Sequence, residues 1–432
     1  MGSGLTQGLR EVLALALLAA SAATLAACGG PSSAVGTAAS QFAAPVSAGD
    51  YLYCITNVGH TLTVYDLARR QVRPQASRYL DLDPVGPWFS GGAGYYLSRV
   101  DTSGAGANAL IRFDPVTGAE TGRLRFPADS NPNSLLVLPS HPGVAWVALR
   151  GSTFDNFATD GISVVDLTTL RDTAFCDLNA ATGTSTCPAL HPAGAGTLTS
   201  PLGFQWDAAG CGGAGCAYAV VNDFDNSGVR NGWLLALQPD SSGVPTLNQG
   251  VPLGRNPMQD VVLDTTRSAL WVVNNGGYVH YDANGQAGTL QVLDTTNLAA
   301  DPDSDGLAGT TLAIESAATC GSPPSPDPGC DPTGIYTLDG STGWLTTYPN
   351  DVLRTVDLST QALGTSPVQV TGPFFPVADD PANPGNPALF AALGGLGLAR
   401  LGELNATATT LLRDDPLDAG PAPLSCTEYT VP

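Results

Sequence analysis

The chain has no lysine; all 17 of its basic residues are arginines, set against 38 acidic residues among 432. The net charge of −21 argues against nucleic acid as a partner and against electrostatic adsorption to anionic lipid. Glutamate is scarce as well, so two strong helix formers are nearly missing and long surface helices are disfavoured. Histidine occurs four times (His60, His141, His191 and His280), each in a turn or loop and no two at ligand spacing. There is no G-x-S-x-G, no H-E-x-x-H, no C-x-x-C-H and no glycine loop placed to cradle phosphate. A Ser-His-Asp triad cannot be assembled from the sequence. After residue 27 no apolar run is long enough to cross a bilayer. These absences exclude the motif-bearing hydrolases, nucleotide-binding folds and multi-span membrane proteins.

Glycine (51), proline (34) and cysteine (9) are plentiful. The first cysteine closes an N-terminal apolar run, Val12–Ala27, which follows a polar start carrying Arg10. The run is short for a membrane span and has the layout of an export signal. Leu25-Ala26-Ala27-Cys28, followed by Gly29, resembles the bacterial lipoprotein signal; an ordinary secretory signal is the alternative. The resemblance implies removal of residues 1–27, acylation of Cys28 (palmitate being the usual chain) and attachment to the cell envelope. Glycine rather than aspartate after Cys28 implies the outer membrane if the bacterium is Gram-negative. Each acyl chain adds about 0.8 kcal/mol per buried CH₂, so several chains hold a domain far longer than one. Residues 28–49 then read as the lipidated cysteine and a flexible tether, with one large domain over 50–432.

Eight further cysteines fit an exported, oxidised protein. Spacing suggests three local pairs, Cys176–Cys187, Cys211–Cys216 and Cys320–Cys330, each enclosing loop-type sequence. Zinc at Cys211 and Cys216 is the competing reading, weakened by the lack of a second pair or a nearby histidine. Cys54 and Cys426 remain, near opposite ends of the domain.

From Asp50 onward short β-type runs recur between Gly, Pro, Asn and Asp. Asn131-Pro132 precedes Trp146 by the same 14-residue step, counted from the proline, that separates Pro257 from Trp271 and Pro376 from Phe390. Pro201 reaches Tyr218 three residues later than that rule, the Cys211–Cys216 loop supplying the excess. Trp88, Trp206 and Trp344 fall outside the aligned aromatic strands and read as rim or packing residues. A further run closes on an aspartate at Asp66, Asp114, Asp166, Asp294 and Asp357, where the side chain suits a turn. Trp233–Pro239 and Leu396–Leu401 fill the same slot without it. Seven units of about fifty residues predict an all-β propeller of seven four-stranded antiparallel blades; a series of β-sandwiches is the alternative. The first unit lacks its own inner strand. The C-terminal Leu424–Tyr429 is expected to supply it and close the ring, locked by Cys54–Cys426.

Tyr53-Cys54-Ile55-Thr56-Asn57 and Trp271-Val272-Val273-Asn274-Asn275 resemble the signature of the YVTN β-propeller repeats, in degenerate form over about residues 50–432. Proteins of that group include bacterial surface and periplasmic binding proteins, and some relatives resemble sugar lactonases. No catalytic residue carries over.

Asp301-x-Asp303-x-Asp305-Gly306 has calcium-loop spacing, though its twelfth position is Leu312. Asp223-x-Asp225 begins a weaker copy, with Leu234 at the twelfth position. A solvated acidic turn is the plainer reading of both. Residues opening inner strands (Asn131, Asn133, Arg255, Asn256 and Gln259) are expected to line a central channel. The expected function is a monomeric, non-catalytic binding module for a protein or glycan partner at the cell envelope. The alternative is a metal-assisted hydrolase of lactonase type working at the channel mouth.

Overall fold

The computed structural model describes residues 41–56, 60–100, 106–128, 130–151, 160–179, 185–224, 230–276, 288–314, 331–337, 342–348, 352–364, 368–369, 374–378, 389–393, 398–404, 411–421 and 423–432. Cys28, the signal residues, His280, Asp225, Cys320 and Cys330 lie outside them.

The strands assemble into seven antiparallel sheets. The first has the order Pro423–Val431, Gly49–Thr56, Thr61–Asp66, Gln71–Tyr79. The second runs from Pro84–Ser90 through Ala93–Val100 and Gly106–Phe113 to Glu120–Arg125, and the third from Pro132–Val137 through Val144–Leu149 and Gly161–Asp166 to Arg171–Asp177. Thr197–Asp207, Cys216–Phe224, Arg230–Pro239 and Pro245–Leu253 form the fourth; Pro257–Asp264, Ala269–Asn274, Thr289–Asp294 and Thr310–Ala313 form the fifth. The sixth comprises Asp331–Thr337, Thr342–Tyr348 and Val352–Asp357, edged by Ala362–Leu363 and Val368–Gln369. Phe374–Ala378, Leu389–Leu393, Leu398–Leu404 and Leu411–Pro421 form the seventh. Each inner strand packs against the inner strand of the next sheet, and that of the seventh meets Pro423–Val431 of the first. This all-β arrangement is a β-propeller.

The apolar core lies between successive sheets. Tyr53, Ile55 and Val64 of the first pack against Tyr96, Ile111 and Phe113 of the second, and equivalent layers join each following pair as far as the sixth. Stacking on both faces explains why Tyr51–Ile55 is buried throughout instead of alternating.

The C-terminal strand pairs antiparallel with Gly49–Thr56, and Cys54 stands directly opposite Cys426. These cysteines form a disulfide spanning 372 residues, as Cys176–Cys187 and Cys211–Cys216 form local ones. The bond between Cys211 and Cys216 displaces the zinc reading.

Two expectations need correction. Residues 41–48 are docked rather than loose. Phe42 and Val46, both buried, are large apolar side chains in an otherwise small-residue segment, and they join the core of the first two sheets. The Phe42 N–H donates to the Thr117 carbonyl at 2.7 Å, and that of Val46 to the Val116 carbonyl at 2.8 Å. Trp344 does belong to an aromatic second strand. It faces Thr355, two residues before Asp357, as Trp146 faces Val164 before Asp166 and Trp271 faces Val292 before Asp294. Its 12-residue distance from Pro332 breaks the 14-residue rule because its cross-strand partner Tyr336 lies only eight residues before it, against ten between Leu136 and Trp146.

Candidate functional site

The aspartate corners close on their own turns. Asp114 accepts from the Val116 N–H and the Thr117 hydroxyl, and Asp166 from the N–H groups of Thr168 and Thr169. Asp294 accepts from Thr296, and Asp357 from Ser359 and Thr360. Asp66 adds a 2.7 Å ion pair with Arg69. At Asp166, Asp294 and Asp357 these bonds favour the ionised carboxylate. The Ser359 hydroxyl, then the Thr360 and Ser359 N–H groups, hold Asp357 down to about 2. Asp166 is lowered chiefly by Thr169, and Asp294 by Thr296.

Two of the aromatic slots latch their sheet to the next. Tyr53 donates to the Pro115 carbonyl of the second sheet's corner at 2.7 Å, and Trp146 Nε1 to the Gly243 carbonyl in the fourth sheet at 2.7 Å. In the second sheet Arg112 does this work, reaching the Leu167 carbonyl at 3.2 Å.

At the other end of the sheets lie the residues expected to line the channel. Asn131 and Asn256 precede the prolines of inner strands in a left-handed conformation, with φ 44° and 50°. Asp83 does the same before Pro84, at φ 45°. Asn and Asp are the non-glycine residues that best tolerate it. Their carbonyls accept from the N–H groups of Arg150, Asn275 and Arg99 respectively. The device recurs three times, and the sequence reading missed its first instance, which the Asp83-Pro84 dipeptide signals.

Side chains at this end tie sheets together. Arg99 Nε and Nη2 lie 2.8 and 2.9 Å from the two Asp83 oxygens, while Nη1 donates to Asn133 Oδ1 of the third sheet at 2.9 Å. Asn275 Nδ2 donates to the Pro332 carbonyl of the sixth sheet at 3.1 Å, and Asn275 Oδ1 accepts from Asn256 Nδ2 at 3.2 Å. Arg255 supplies its carbonyl to the Gly276 N–H. The Gln259 side chain is outside the described residues. Among the described residues, the buried oxygens Asn131 Oδ1, Asn222 Oδ1 and Asn274 Oδ1 have no donor. All three flank the starts of inner strands or the ends of second strands.

Among the described residues, no group of three acids converges there. Asp301, Asp303 and Asp305 are brought together, with carboxylate oxygens within 4.8 Å of one another, on an exposed loop between the outer two strands of the fifth sheet. Each also holds the loop's own backbone. Asp301 accepts from the Asp305 and Gly306 N–H groups, Asp305 from Leu307, and Asp303 from Thr311. Asp223 sits in a strand instead, where Oδ2 accepts from Trp233 Nε1 at 2.8 Å and the Gly196 N–H at 2.9 Å. The described histidines are scattered: His141 contacts Ser140, His191 contacts the Gly196 carbonyl, and the His60 carbonyl caps Leu80.

No protein-family model matches this chain, and no curated protein does. Solved structures do. A functionally unknown protein from Desulfotomaculum acetoxidans is similar at TM-score 0.51 and 10% identity, covering 84% of this chain and 95% of that one. A protein from Lactobacillus plantarum reaches 0.51 and 10%, covering 89% and 100%. The Cps50 (Swd1) β-propeller domain of Myceliophteria thermophila gives 0.46 and 12%, covering 90% and 99%. What is shared is the fold. At these identities no residue role transfers.

Proposed function

We propose that this chain is an exported propeller of seven blades, closed by its C-terminal strand and anchored through acylated Cys28, that binds a protein or glycan partner without chemistry. The observation that carries the binding reading is the polar rim at the starts of the inner strands, where Asn131, Arg255 and Asn256 are only partly buried. Nearby ionic groups such as Arg99 and Asp83 are spent on bridging sheets. The carboxylates that could hold a cation lie on an outer loop, away from that rim. The succession of inner strands and the pairing of Pro423–Val431 with Gly49–Thr56 support the closed ring.

Metabolic labelling with an alkyne-tagged palmitate tests the anchor. Label is expected on the wild-type protein and lost with Cys28→Ser; equal labelling of both would refute it. A glycan array and photo-crosslinking from the Asn131 rim test the binding role. Turnover of a lactone panel that disappears with Asp301→Asn would instead establish the hydrolase. The same protein titrated with calcium should gain melting temperature if the Asp301–Asp305 loop takes the ion.

A further inference from the structure

At the far end of the fourth sheet's inner strand, a cavity of about 600 Å³ opens between the fourth and fifth sheets. That is room for a small organic molecule. Trp146 fills the matching slot in the third sheet, whereas here the smaller Tyr218 stands in it. Asp207 and Tyr218 line the cavity and are 5% and 1% exposed; Asn248 and Thr296 lie at exposed positions. The disulfide-closed turn at Cys211–Cys216 forms one lip, and Asn248 Nδ2 reaches across to Cys211 Sγ at 3.4 Å.

The two oxygens of Asp207 are served unequally. Oδ1 accepts the Ala209 N–H at 2.9 Å, but Oδ2 has only the Tyr218 hydroxyl, 3.5 Å away. A hydroxyl bonded to a carboxylate normally sits about 2.5–2.7 Å from it, so Oδ2 keeps most of its accepting capacity. Gly210 is packed closely here: a Cβ would lie 2.7 Å from Cys216 Cβ, 3.0 Å from Asp207 Oδ2 and 3.1 Å from the Tyr218 hydroxyl, so only glycine fits beside the carboxylate. Among the described residues, no arginine or histidine lines the cavity, and the chain has no lysine to offer. A nearly buried carboxylate facing free volume without a counter-charge is costly unless a cation arrives.

We propose that this cavity binds a small organic cation, a primary ammonium that donates to Asp207 Oδ2 and to the Tyr218 hydroxyl oxygen. The neutral amides and hydroxyls around it suit a ligand with a second polar group. The site is distinct from the Asn131 rim and does not rest on the partner-binding reading.

Ethanolamine is the probe, titrated calorimetrically into the full-length protein, with glycerol as the neutral control. Saturable ethanolamine binding is expected, weakened about tenfold or more by Asp207→Asn, with glycerol at least tenfold weaker. Because Asp207 also holds its turn, Asn248→Arg provides a second variant. It sets a guanidinium at the exposed mouth and is expected to abolish binding while leaving the melting temperature unchanged. Three results overturn the proposal: no saturable binding of ethanolamine, binding unaffected by both variants, or glycerol binding as tightly as ethanolamine.

Discussion

Single residues set the turn chemistry. Asp357 is exposed, yet Ser359 and Thr360 hold its carboxyl near 2. An aspartate in the unfolded chain titrates near 3.9. Because the folded value is the lower one, the corner's contribution is complete above about pH 4 and is lost as pH falls toward 2. An NMR titration should give a midpoint near 2 for Asp357, returning toward 3.9 in Ser359→Ala. The five corner aspartates were legible in the sequence because an Asx turn depends on a local side chain and its next few N–H groups. Asn131 and Asn256 were found, but not their left-handed backbone or their partners. Their proline context was visible, while the Gly151 carbonyl and the Asn275 amide that engage them come from residues 19 or 20 positions further along the chain.

At the scale of strands and sheets, the aromatic slot is a latch, and its partner decides its worth. Trp146 Nε1 has the Gly243 carbonyl, 97 residues away, whereas Trp271 Nε1 has no acceptor among the described residues. Both side chains are fully buried. Trp146→Phe should therefore cost more stability than Trp271→Phe, by about 1–3 kcal/mol for a buried carbonyl left unpaired. Urea unfolding of the two variants measures the difference; equal losses would discard the latch. The slot itself was readable from aromatic spacing in most units. Trp344 escaped because the rule measured distance along the chain, which can shorten without changing the register across strands.

For the whole molecule, the seam between the two ends of the domain is decisive. Cys54 and Cys426 close a span of 372 residues, and in the chain-entropy account such a bridge contributes about 6 kcal/mol. Replacing both with serine should lower the melting temperature by roughly 7 °C, given the large unfolding entropy of a chain this size. It should also expose the Pro423–Val431 strand to hydrogen exchange before the other sheets. An unchanged exchange pattern would mean that strand pairing alone holds the seam.

Taken alone, the sequence determined the repeating β-strand grammar, the aspartate corners, the cysteine pairs at 176–187 and 211–216, and the partnership of Cys54 with Cys426. Those follow from local propensity, short spacings and the count of strands, all of which are written linearly. Tertiary structure alone decided that Phe42 and Val46 dock, that Asp223 braces a strand instead of an acidic loop, and that Asp207 faces a cavity with one oxygen barely engaged. Each of those depends on what a neighbouring sheet or distant turn places opposite a side chain. Stacking of sheets fixes that in space, and no pattern within a single strand encodes it.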